Sequence, residues 1–445
     1  MLTYAFLHDN ATSMPTAAGY AWTRLMELPR EARFVEFAGI GGLVCLLLTR
    51  RISTESAGLA AGILVFSSLA TLSYLQHPRV GLTDFIRLVY MFVLPIVIFV
   101  IAREYRWKRA NLSTLVDFIL LWILVSAAVS WAQYSYFGYE PGDDITGLNQ
   151  DAHANAALLM IATFVLLAQG LFLHRPHRIL VAIGAAVTAV LPSALKTLFM
   201  FPLLLTVFVM YYAGASLRSL QRINKRTLIA ALVVAIMTTM IFREFARIDF
   251  RSSARLPDFV QRVADNPASL GLLAGYRDAI ALLLKEPGTF LFGLGPFSHS
   301  NPISMGQTLE GGALSVAARP DLVARSGESG EDTRVTLMTA LAAELGFPAL
   351  IALAVLYAMI VRRLHRCTRS REPVVRAYAA ALVPSLLLVL GSGVLGLFGS
   401  ISSLSLTWPL MLVGGATARL HSRAAALDPR PIPAQAPVSS APGAP

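Results

Sequence analysis

Residues 154–173 read ANAALLMIATFVLLAQGLFL, twenty positions without a charged side chain. A helix rising ~1.5 Å per residue needs about that length to cross the ~30 Å hydrocarbon core of a bilayer. Lipid offers the backbone no hydrogen-bond partner, so such a run must satisfy its own N–H and C=O groups as an α-helix. A closed barrel is excluded, because the run is continuously apolar and does not alternate with period two.

Comparable runs lie on either side, at 34–49, 56–75, 86–102, 115–133, 179–195, 197–214, 228–242, 335–360, 377–397 and 402–419. Together they predict an all-α, polytopic integral membrane protein with about eleven transmembrane helices, or a twelfth if residues 1–33 hide a crossing. Pro192, Ser193 and Lys196 interrupt the stretch shared by the runs at 179–195 and 197–214. The whole chain agrees: 56% of its 445 residues are hydrophobic and 14% charged, where soluble domains average ~25% charged. Its mean hydropathy is +0.62.

The formal charge of +11 would suggest a nucleic-acid partner in a soluble protein. Here many of the basic residues fall in alternate short loops: Arg50 and Arg51; Arg103, Arg106, Lys108 and Arg109; Arg175 and Arg178; Arg218, Arg222, Lys225 and Arg226; Arg362, Arg363, Arg366, Arg369 and Arg371. The positive-inside rule places those loops in the cytoplasm, so no nucleic acid is needed to explain them. The loop with Glu140, Asp143, Asp144 and Asp151 then lies outside.

The chain therefore divides into an interfacial segment at 1–33, eight spans over 34–242, one large external loop at 243–334, three spans over 335–419, and a cytoplasmic tail at 420–445. The tail is rich in Pro, Ala and Ser, a composition that does not fold. Cys45 lies in an apolar run and Cys367 in a basic loop, neither placed for a disulfide or a metal. No cleavable secretory signal is evident.

The large loop is the only long polar interval, and loops held by rigid scaffolds often carry function. Within it Arg277 lies on an amphipathic segment at 275–285. Its guanidinium suits phosphate oxygens, or it pairs with a neighbour such as Asp278. Gly293-Leu294-Gly295-Pro296 reads as a tight turn where the loop returns to the membrane surface. His299 is a general base, a phosphate contact or an ordinary loop histidine. Lys196 faces an interior or snorkels to the surface. Arg87 follows Asp84 by one helical turn and pairs with it or is free for an anion. His153 and Asn155 open their span behind Asp151, a candidate helix N-cap, with capping and packing as their ordinary roles, and Glu344, inside the run at 335–360, is buried with a partner or functional.

Four stretches together resemble the O-antigen polymerase/ligase superfamily of bacterial membrane glycosyltransferases. They are Gly147-Leu148-Asn149 with Asn155-Ala156-Ala157; Ser193-Ala194-Leu195-Lys196-Thr197; Arg277 through Ala281 followed by Pro287 and Gly293-Leu294-Gly295; and Leu341-Ala342-Ala343-Glu344-Leu345-Gly346. The ligase branch carries a His-Asn pair at the start of the last of these helices. Val335 and Thr336 stand there instead, which favours the polymerase branch.

The resemblance implies transfer of a glycan from undecaprenyl pyrophosphate to a second lipid-linked repeat unit, at the periplasmic face of the bacterial inner membrane. It implies no nucleotide sugar, cofactor or essential metal. The substrates are undecaprenyl-pyrophosphate-linked oligosaccharides in the lipid bilayer, and a chain-length regulator is a candidate protein partner. Arg277, Lys196 and Arg87 would hold the pyrophosphate; His299, Asp332 or Glu331 would activate the acceptor hydroxyl. The alternatives are a ligase that transfers glycan to lipid A core, and a transporter of polysaccharide or lipid-linked sugar. Against a transporter stand the single large loop and the lack of an internal repeat.

Overall fold

The computed structural model describes residues 52–77, 82–139, 145–148, 152–192, 195–213, 287–296, 337–395 and 404–427. Among these residues the regular structure is helical, without a strand. The helices are α1 (Thr54–Gln76), α2 (Leu82–Glu104), α3 (Arg109–Ser135), α4 (Ala152–Phe172), α5 (His177–Thr188), α6 (Leu195–Ala213), α7 (Pro287–Phe292), α8 (Leu337–Leu345), α9 (Phe347–Cys367), α10 (Pro373–Leu395) and α11 (Leu404–Leu427). Five are long and apolar enough to cross a membrane: α1, α3, α4, α9 and, over Pro373–Gly391, α10. This is the pattern of a membrane protein. The spans expected at 34–49 and 228–242 lie outside the described residues, and with them the count of eleven.

The helices bury different shares of their surface. In α4, 89% of the apolar window is buried, because it is apolar on every side and sits among α3, α5, α6 and α10. Phe164 packs its ring 5.4 Å from Phe201 and 6.2 Å from Phe208, joining α4 to α6. By contrast α1 and α9 bury 28% and 33%. They leave Leu64, Val65 and Leu72, and Ile351 and Val355, exposed. Water would not tolerate that much continuous apolar surface, whereas lipid hydrocarbon does.

The basic turns gather at one end of the bundle. Glu55 of α1 pairs with Arg103 of α2 and, at 2.6 Å, with Arg363 of α9. Arg363 also donates to Ser422 of α11 at 2.6 Å, and Arg109 pairs with Glu372 before α10 at 2.6 Å. Glu104 accepts hydrogen bonds from the Ser53 and Ser56 hydroxyls, each 2.6 Å long. At the other end α1 meets the start of α2, where Tyr74 stacks on Phe85 at 4.5 Å. There too lie the turn at 145–148, helix α7 and the boundary between α8 and α9.

Four expectations are revised. The tail expected to be unfolded from 420 begins as the last turns of α11, residues 420–427. The run at 335–360 is two helices, α8 and α9, broken at Gly346. The run at 179–195 ends as a helix at Thr188, giving a 12-residue α5. At ~1.5 Å per residue it reaches only about 18 Å, short of a full crossing. Helix α9 continues through Arg362, Arg363 and Arg366 to Cys367. That cysteine is a buried helical residue and not part of a loop.

Candidate functional site

At the end away from the basic turns, two of the quoted stretches meet. Pro348 has no N–H, so the carbonyl of Glu344 loses its normal helical donor four residues on. Gly346 stands at φ +85°, a backbone region open to glycine and strained for other residues. The helix breaks there, and the returning loop after α7 supplies donors in its place. Leu294 N–H donates to the Ala343 carbonyl (2.7 Å) and Gly295 N–H to the Glu344 carbonyl (3.1 Å). The Ser73 hydroxyl of α1 also donates to the Glu344 carbonyl, at 2.8 Å. At membrane depth an unsatisfied carbonyl costs several kcal/mol, so these bonds are a condition of the break.

The approach is close enough to require glycine. A Cβ on Gly346 would overlap the Leu291 carbonyl, and one on Gly295 (φ +94°) would overlap the backbone and Cβ of His77. The rings of Phe290 and Phe347 pack 5.2 Å apart beside the junction. Glu344, at 1% exposure, is buried in the last turn of α8.

A second polar group lies at this end of α3 and α4. Asn155 is fully buried. Its Oδ1 accepts from the Ser126 hydroxyl (3.0 Å) and its Nδ2 donates to the Ser130 hydroxyl (2.9 Å). The Ser126 oxygen accepts from Leu148 N–H (2.9 Å), and Gln133 Oε1 accepts from Gly147 N–H (2.8 Å). The stretch Gly147-Leu148 and the opening of α4 are thus one connected unit. Trp131 donates to Thr188 at 2.9 Å, tying α5 to the same end.

Of the residues expected to act, Arg277, His299, Glu331 and Asp332 lie outside the described residues. Lys196 is the second residue of α6, and Arg87 lies in the second turn of α2. Both helices start at the end that holds the α7–α8 junction, so both backbones belong to it. Their side chains are outside the description. Ser73 of α1, His77 just after it, and Ser126, Ser130 and Gln133 of α3 were not singled out from the sequence. Serines and a histidine within or beside apolar runs carry no spacing signal, and their partners are tens to hundreds of residues away. Among the described residues no group of three or more His, Cys, Asp or Glu is gathered to hold a metal.

No protein-family model matches the chain, and no curated protein matches it.

Proposed function

We propose that the protein polymerises undecaprenyl-pyrophosphate-linked oligosaccharide repeat units into a surface polysaccharide at the periplasmic face of a bacterial inner membrane. One observation carries the reading. The Gly293-Leu294-Gly295 turn and the Glu344-Leu345-Gly346 helix end, two of the stretches that resemble the polymerase/ligase superfamily, bond to each other at the end opposite the basic turns. A motif order that corresponds to a contact in space is better support than the order alone.

In this reaction the bond from the donor sugar's anomeric carbon to pyrophosphate breaks as the acceptor hydroxyl bonds to that carbon. Undecaprenyl pyrophosphate leaves and the hydroxyl proton passes to a base. Charge develops on the pyrophosphate, so cationic donors stabilise the transition state most. In this proposal Arg277 supplies the first of them, with Lys196 and Arg87 behind it. His299, Asp332 and Glu331 are the candidate bases.

The test is the surface polysaccharide of a deletion strain complemented with variants. Loss of chain growth with single repeat units retained is the expected result, and Arg277→Ala should fail to restore it. Full-length chains left unattached would point to a ligase, and chains retained inside the cell to a transporter. Unchanged chains with Arg277→Ala would remove that arginine from the site.

A further inference from the structure

The depth of the α7–α8 junction follows from the charged level at the other end of the bundle. There Glu55 of α1 pairs with Arg103 of α2 and Arg363 of α9. Charges resist hydrocarbon, so that level marks its inner edge. Counted from it at ~1.5 Å per residue, Ser73 of α1 stands about 27 Å away, Phe85 of α2 about 27 Å and Phe347 of α9 about 24 Å. The three helices agree, as they must, because Tyr74 stacks on Phe85 and Ser73 donates to the Glu344 carbonyl. The hydrocarbon core is ~30 Å thick. Helix tilt shortens each projection and lowers the junction further. The junction therefore lies no higher than the outer edge of the hydrocarbon.

The surface at the junction fits that depth. Helix α7 reads Pro287-Gly288-Thr289-Phe290-Leu291-Phe292, without a charge, and none of its residues is buried. Phe290 and Leu291 are exposed, as is Phe347 beside them at the start of α9. Phe347, Ile351 and Val355 recur every four residues along one face of α9, so the patch continues the apolar strip that α9 presents to lipid. Leu72 and Leu75 end the matching strip on α1, and α7 packs against both helices. The turn behaves in the opposite way. Gly293, Gly295 and Pro296 are buried, and the N–H groups of Gly293, Leu294 and Gly295 all have carbonyl partners. In hydrocarbon, non-helical backbone is tolerated only where protein covers it, whereas apolar side chains need no cover. A covered turn beside bare phenylalanines meets that requirement, while water would penalise the bare rings.

We propose that α7 and the turn at 293–296 re-enter the bilayer from the side away from the basic turns, and that Phe290, Leu291 and Phe347 contact the acyl chains of that leaflet. Lys285 and Glu286 stand directly before Pro287, so the apolar segment is bounded by charge where it meets the headgroups. The segment holds the Gly293-Leu294-Gly295 turn within the membrane and covers the broken end of α8. The inference rests on helix lengths and exposure, and not on the proposed reaction.

The test is spin-label accessibility of the full chain in phosphatidylcholine vesicles, with Cys45→Ser and Cys367→Ala removing the native thiols. A nitroxide at Phe290→Cys or Leu291→Cys is relaxed by collision with oxygen, which concentrates in hydrocarbon, or with a nickel chelate, which stays in water. Leu64→Cys, exposed in the middle of α1, and Arg106→Cys, exposed in a basic turn, set the two limits. Both α7 labels should show the oxygen-dominated relaxation of Leu64→Cys and lose the nickel effect seen at Arg106→Cys. Nickel-dominated relaxation at 290 and 291 would overturn the proposal by placing α7 in water. Loss of both effects would overturn it too, by showing that another part of the chain or a second copy covers this face. Leu291→Cys keeps the test open should Phe290→Cys, which loses its packing on Phe347, not fold.

Discussion

At the scale of single residues, the α8–α9 boundary depends on Gly346 and Pro348. Replacing Gly346 by Ala puts an L-residue at φ +85° and a methyl group into the Leu291 carbonyl. Holding a non-glycine residue in that region costs ~1–3 kcal/mol before the overlap is counted. The Gly346→Ala protein should therefore lower the detergent-solubilised Tm by several degrees and reduce chain growth; an unchanged Tm and unchanged chains would show that the break carries no strain. Ser73→Ala removes one donor to the Glu344 carbonyl and leaves the Gly295 N–H in place, and should cost about 1 kcal/mol. Asn155→Ala leaves Ser126 and Ser130 without their amide partner. Side-chain hydrogen bonds between membrane helices are worth ~0.6–1.7 kcal/mol each, so the loss should be about 1–3 kcal/mol by thermal unfolding followed by size exclusion.

At the scale of elements, the basic end is clamped. Glu55 holds Arg103 and Arg363, and through Arg363 reaches Ser422, so that α1, α2, α9 and α11 are tied by one carboxylate. Glu55 is itself 44% exposed, which limits the strength of its ion pairs through solvent screening. Arg103 is only 7% exposed, and leaving such a charge unpaired is costly. Glu55→Ala should thus destabilise by about 1–3 kcal/mol. Adding Arg103→Met should recover part of that loss, because it removes the stranded cation. A double variant no more stable than Glu55→Ala would contradict the clamp.

At the scale of the whole molecule, the alternation of basic and non-basic turns gives each loop a side. Tyr136, after α3, is 83% exposed at the end away from the basic turns, and Arg106, before α3, is exposed at the basic end. In a cysteine-free background, Tyr136→Cys should react with an impermeant thiol reagent added to intact spheroplasts. Arg106→Cys should react only after lysis. Labelling of both from the same side would overturn the crossing of α3 and, with it, the orientation on which the proposed reaction rests.

Much of the fold was legible in the sequence, and for one reason. A helix that crosses lipid must be continuously apolar over a fixed length, so 56–75, 115–133 and 154–173 announced α1, α3 and α4 within a few residues. The same rule misread 335–360, because apolarity continues across Gly346 while the backbone does not. Gly346-Phe347-Pro348 was in view, but the partners that make a break tolerable come from Leu294, Gly295 and Ser73, up to 273 positions away. Likewise Asn155 could be read as packing behind an N-cap at Asp151, and only tertiary structure showed Ser126, Ser130 and the turn at 147–148 around it. Membrane character, helical class and the set of basic turns follow from local composition, because the solvent imposes them residue by residue. Which polar groups meet and where a helix breaks depend on side chains from distant helices satisfying one another in a medium that satisfies none of them.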